Sequence, residues 1–222
     1  MSELKKRLRE SKKIYNFFTW LYRLLNGNHF SGKKGNRFQF SGVKLKKTKV
    51  FIFGIDNSIK VGAHSLLSKC NINILGNRCS VEIGKNTTLN KVTIWLEDDD
   101  TSVFIGDNVL MMGDNHIAST EGKKITIGDR CLFSSDISIR SGDSHSILNG
   151  KGERINYAAD VTLGEHVWVG NKVILLKGCC IGNDSVIGSG SVVTKDFASN
   201  TVIAGNPAKS IKNNINWDFE RK

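Results

Sequence analysis

The chain has 222 residues, 22 of them glycine and one proline, with 39% hydrophobic and 24% charged residues. That length is ample for a buried core, the composition excludes wholesale disorder, and the lone proline excludes collagen-like and proline-rich linker readings. The formal net charge of +11 is uneven: residues 1–50 carry fourteen Lys/Arg against Glu3 and Glu10, and the rest of the chain is near neutral. The expectation is a basic segment on a near-neutral body, not a surface built for nucleic acid.

In chain order, the first predicted element is a helix. Ile14, Phe17, Phe18, Leu21, Leu24 and Leu25 recur at helical spacing behind Lys5, Lys6, Arg7, Arg9, Lys12 and Lys13, which makes an amphipathic stripe. Asn26-Gly27-Asn28 reads as its stop. Asn16, Thr19 and Arg23 interrupt the stripe, so it reads as neither a secretory signal nor a membrane span. Two roles stay open for residues 1–25: capping the body that follows or packing against other copies, or lying on an anionic membrane surface. Cys70, Cys79, Cys131, Cys179 and Cys180 are odd in number and lack metal-type spacing. They read as reduced thiols of a cytoplasmic protein, with the inner membrane face as the site of any surface contact.

Past residue 30 the helical period gives way to recurring pairs of an aliphatic residue and glycine: Val61-Gly62, Ile83-Gly84, Ile105-Gly106, Ile127-Gly128, Leu163-Gly164, Val169-Gly170, Ile181-Gly182 and Ile187-Gly188. From Gly164 the intervals are 6, 12 and 6. A six-residue unit is too short for a crossover helix. It suits a short strand with one aliphatic side chain inward and a glycine corner at positive φ. Coils of such units stacked on one another form an all-β, parallel β-helical solenoid. A β-sandwich would need longer alternating strands and hairpin turns, and those are sparse. The expected division is a basic helix over 1–30, the solenoid over 31–212 with an excursion loop at 141–160, and a tail over 213–222.

The hexapeptide units, with the closing run Val186-Ile-Gly-Ser-Gly-Ser-Val-Val-Thr-Lys195 and Ala204-Gly-Asn-Pro-Ala-Lys209, resemble the left-handed β-helix acyltransferase superfamily. Gly152-Glu-Arg-Ile-Asn156 with Asp160-Val-Thr-Leu-Gly-Glu-His-Val-Trp168 looks most like its cell-surface polysaccharide O-acetyltransferases. Left-handedness, three hexapeptides per coil, acetyl-CoA as co-substrate and a homotrimer with active sites between subunits are what that resemblance implies.

The beat breaks between Ser141 and Asp160 in a polar, glycine-rich run held by rungs at both ends, the usual mounting for a site loop. The run holds His145. Acyl transfer to a hydroxyl needs a base of near-neutral pKa, and the resemblance puts the general base at this place in the loop. Asp143, or Asp114 with Asn115, are the candidates to orient the ring or the acceptor. The resemblance further implies Trp168 as a wall of the acetyl and acceptor site and Asn171 beside the cofactor. It places Ser189 where the pantetheine passes and Thr194, Lys195, Lys209 and Lys212 near the phosphates. His29, His64, His116 and His166 lack the three-ligand spacing of a zinc site, so no metal is expected. Glu97-Asp-Asp-Asp100 reads as a solvated turn.

The expected function is transfer of acetyl from acetyl-CoA to a sugar hydroxyl of a bacterial surface glycan. Two others compete: N-acetylation of a nucleotide-linked amino sugar, and a non-catalytic glycan-binding scaffold.

Overall fold

Val61, Ile83, Ile105, Ile127, Leu163 and Ile181 sit one above another, each paired in register with the next and each buried. The glycine that follows each has a purpose other than the expected one. A Cβ on Gly84 would lie 2.5 Å from Gly106 C, and one on Gly128 would lie 2.5 Å from Gly164 O. Glycine therefore stands there because the next coil's backbone passes too close for any side chain. The positive-φ corners are mostly taken by other residues, among them Asp56, Arg78, Asn108 and Lys172.

The computed structural model describes residues 11–222, so Lys5, Lys6, Arg7 and Arg9 lie outside the described residues. Among the described residues there are one helix, α1 (Lys12–Leu25), and 22 strands, from β1 (His29–Gly32) to β22 (Ala208–Lys212). The strands stack as a parallel β-helix with three faces. In the last coils the first face holds β14 (Ser138–Arg140), β17 (Ile174–Leu175) and β20 (Val192–Val193). The second holds β12 (Lys124–Ile127), β15 (Val161–Leu163) and β18 (Cys180–Ile181). The third holds β13 (Leu132–Phe133), β16 (Trp168–Val169) and β19 (Val186–Ile187). The chain runs third face to first, first to second, second to third.

Coil length corrects the reading of three hexapeptides per coil. Ser58, Ser80, Ser102 and Lys124 pair in succession, 22 residues per coil. Only after the loop do Trp168 and Val186, or Thr162 and Cys180, pair at 18 residues. The six-residue beat belongs to the C-terminal coils, and the N-terminal ones carry longer strands.

The core is a shaft of inward residues. On the third face it runs Leu45, Leu67, Leu89, Met111, Phe133, Val169, Ile187 and Ile203, all buried. Cys70, Cys131 and Cys179 line it too, and burial pushes their thiols up to about 11, about 12 and about 12, which keeps them unreactive. Cys180 points out and is exposed, so of the two adjacent cysteines only Cys179 lines the core. At the C-terminal end, β21 (Val202–Gly205) and β22 pair antiparallel.

Helix α1 packs against β3 (Lys44–Lys46) at the start of the solenoid, but not by its apolar stripe. Thr19 is buried, and the Tyr15 ring lies 4.7 Å from that of His64. The Arg23 guanidinium donates to the carbonyls of Phe40 and, at 3.3 Å, Val43. Asn28 donates to Leu45 O at 2.8 Å and accepts from Thr48 N at 2.9 Å. Ile14, Phe17, Phe18, Leu24 and Leu25 face outward and are exposed. The first coil is closed instead by aromatic side chains: Phe40 packs on the core, with the rings of Phe30 and Phe38 at 5.7 and 6.0 Å from it. No helix among the described residues is long and apolar enough to cross a membrane.

Candidate active site

After β14 the chain leaves the coil and returns at β15, so the loop rises from the corner between the first and second faces. Its backbone is pinned by charge. Asp143 Oδ2 accepts from Lys177 Nζ at 2.6 Å and from Asn156 Nδ2 at 2.8 Å. Asn156 Nδ2 also donates to His145 O at 2.8 Å, and Asn156 Oδ1 accepts from Ile147 N at 2.7 Å. Arg154 pairs with Glu121, whose other oxygen accepts from Ala158 N at 3.2 Å. These bonds hold the main chain on both sides of His145. The His145 side chain opens into a polar cleft bounded by Asp98, Thr120 and Glu121. Among the described residues its ring enters no hydrogen bond or ion pair, so neither nitrogen is engaged and the one without a proton can accept one from a substrate.

Asp143 does not touch the ring. Its carboxylate is spent on Lys177 and Asn156, and the Lys177 hydrogen bond, then that from Asn156, holds its pKa below the usual carboxylate range. A depressed carboxylate stabilises the fold fully above its unfolded pKa of about 4 and loses that contribution only as pH falls through the lower folded value. Protection of the Ile147 amide, corrected for intrinsic exchange, is therefore expected to hold from neutral pH to about 4 and to collapse below it. Asp143→Asn should show weakened protection already at neutral pH. Wild-type protection lost near pH 6 would show that another group pins the loop.

The expected acceptor pair is arranged differently. Asn115 is buried, its Oδ1 accepting from Ile137 N at 3.0 Å and its Nδ2 donating to Ser134 O at 3.0 Å. Those bonds stitch adjacent coils and leave little for a ligand. Asp114 is exposed and pairs with Lys91 at 3.4 Å. Both residues lie at the corner between the third and first faces, as do Asn171 and Ser189. Asn171 N donates to Ser189 Oγ at 3.2 Å, and Asn171 Nδ2 donates to Ser135 O and Oγ at 2.9 and 2.7 Å. Thr194 and Lys195 follow β20 at the His145 corner. Lys209 and Lys212 are exposed on β22.

Trp168 projects from the third face and is 41% exposed. The first–second corner is the vertex opposite the third face, so one chain does not bring His145 and Trp168 together. Beside Trp168 the tail folds back on the coil. Trp217 stacks on His166 at 4.2 Å and 11°, and its Nε1 donates to His166 O at 2.7 Å. His166 Nδ1 bonds Asp184 Oδ1 at 2.9 Å, and the Trp168 and Trp217 rings lie 6.0 Å apart. Lys177, Glu121 and Trp217 carry no sequence signal of their own, because each pairs across a coil and only the coil length reveals the partner. Arg154 and Asn156 lie in the Gly152–Asn156 motif, where Asn156 bonds within the loop and Arg154 reaches across to Glu121. The acidic turn is cross-linked and not merely solvated: Arg78 pairs with Asp99 at 3.2 Å and Asp100 at 2.7 Å.

A three-faced stack of short parallel strands, interrupted once by a histidine loop, is the architecture of the left-handed β-helical transferases. The family profile "Bacterial transferase hexapeptide (six repeats)" matches residues 160–195, where the 18-residue coils lie. The solved structure of the polysialic acid O-acetyltransferase OatWY is 33% identical over 88% of this chain and 92% of its own, with a TM-score of 0.82. That of the polySia-specific acetyltransferase NeuO is 31% identical over 88% of each chain, with a TM-score of 0.80. The chain belongs to this family of hexapeptide-repeat acetyltransferases. Among curated relatives, the galactoside O-acetyltransferase of Escherichia coli K12 is 44% identical over 31% of this chain and 32% of its own. The polysialic acid O-acetyltransferase of Escherichia coli O1:K1 is 40% identical over 35% of this chain and 26% of its own. The matched segments thus span about a third or less of these curated relatives.

Proposed function

We propose that this protein transfers an acetyl group from acetyl-CoA to a sugar hydroxyl of a bacterial surface polysaccharide or its precursor. The observation that carries this reading is His145: an unpartnered imidazole on a loop whose backbone is pinned by Asn156, Asp143 and Lys177. His145 takes the hydroxyl proton as the oxygen attacks the thioester carbonyl carbon. The carbon–sulfur bond breaks, and the proton passes to the leaving thiolate, giving the acetylated sugar and free CoA. Exposed Lys195, Lys209 and Lys212 suit the phosphates as point charges, with Thr194 beside them. Trp168 walls the reacting centre. The amide donors of Asn171 are spent on Ser135, so toward a ligand it offers its carbonyl oxygen, with Ser189 beside it.

The site is completed by a second copy of the chain. In a closed trimer the His145 corner of one subunit meets the third face and the Asn171 corner of the next, which unites groups that one chain holds apart. Exposed Ile147, Leu148, Ile155 and Tyr157 on the loop suit such an apolar contact.

Thiol release from acetyl-CoA is the test, with a panel that includes polysialic acid, neutral glycans and amino-sugar nucleotides. Release dependent on a glycan hydroxyl is the expected result. Activity on amines alone would turn the reading to N-acetylation, and failure to bind acetyl-CoA would leave a glycan-binding scaffold.

A further inference from the structure

Helix α1 is mounted with its polar side toward the protein. Tyr15, Thr19 and Arg23 lie against the first coils, and the Arg23 bonds to the Phe40 and Val43 carbonyls fix the helix in rotation. The opposite side presents Ile14, Phe17, Phe18, Trp20, Leu24 and Leu25 outward, all exposed. An apolar helix face of this size on a protein surface marks a contact. Its mounting makes that contact something other than the helix's own solenoid.

Charge chooses the occupant. Lys5, Lys6, Arg7, Arg9, Lys12 and Lys13 precede or open the helix against only Glu3 and Glu10. Lys44, Lys46 and Lys47 are exposed at the strand on which it lies. A helix from a second copy would bring the same excess of positive charge, and like charges at close range oppose that pairing. The surface that answers both features is flat, apolar beneath and negative on top. Aromatic and leucine side chains enter the acyl boundary of a bilayer, while the lysines and arginines meet anionic headgroups. We propose that α1 docks this protein on an anionic lipid surface through Ile14, Phe17, Phe18, Trp20, Leu24 and Leu25. The docking is independent of the acetyl-transfer reading, since none of these residues belongs to the His145 loop or to the cofactor set.

Flotation of the full chain with lipid vesicles tests it. Vesicles of mixed phosphatidylglycerol and phosphatidylcholine are expected to carry the protein, pure phosphatidylcholine vesicles far less, and added salt should weaken the binding. F17D/F18D alters two outward side chains and should leave the strand circular dichroism unchanged while lowering partitioning by about tenfold or more. Wild-type protein that ignores the anionic vesicles overturns the proposal, as does a double variant that binds them equally well. If the wild type ignores vesicles and F17D/F18D dissociates in sedimentation, the face is a contact between copies, and the proposal fails.

Discussion

His145→Ala is expected to lower acetyl transfer by about 10²–10⁴, the usual contribution of a positioned general base, with little change in unfolding temperature. The reasons for the two halves are separate. Turnover falls because no other imidazole occupies the cleft: His166 is bonded to Asp184 and stacked under Trp217, and the His116 ring belongs to a coil of the body. Stability holds because the His145 side chain enters no hydrogen bond among the described residues. The bond that fixes the loop uses its main-chain oxygen, which alanine keeps. An exposed truncation of this kind costs within about 0.5 kcal/mol. Acetyl-CoA affinity should be retained, so the loss should fall on turnover and not on the Michaelis constant for acetyl-CoA. A variant that keeps full turnover would remove His145 from the chemistry.

The C-terminal half was legible because its units are regular: Leu163-Gly164, Val169-Gly170, Ile181-Gly182 and Ile187-Gly188 declare rungs of six residues. The N-terminal half carries the same pairs, at Gly62, Gly84, Gly106 and Gly128, but 22 residues apart. A search for sixes sees them as scattered. Once the registers are known the glycines need no special φ; they are places where coil touches coil.

The helix shows a different limit. Its period identified an apolar side, yet the buried side is the one with Thr19, whose hydroxyl bonds back to Asn16 O within the helix, and Arg23, whose guanidinium finds the Phe40 and Val43 carbonyls at the edge of the first coil. Periodicity reports that a helix has two faces, and only the neighbouring surface decides which is turned inward. The loop was placed correctly at 141–160 and its histidine stands out, but its supports did not. Asp143 and Lys177 are 34 residues apart, and Glu121 and Arg154 are 33 apart. Both distances are one coil plus the excursion, an interval with no meaning until the coil is measured. The bonds of Asn115 were hidden for a similar reason: its Oδ1 accepts from Ile137 N, one coil onward.

The claim that ties these parts together is that one active site takes His145 from one copy and Trp168 from the next. His145→Ala and Trp168→Ala each alter an outward side chain, and each alone should be inactive. Co-expressed in equal amounts under different tags and purified as mixed oligomers, they should regain about a quarter of wild-type activity, because random assembly in a closed ring leaves about that fraction of sites with both residues intact. Mixed oligomers as inactive as the two variants apart would contradict the shared site.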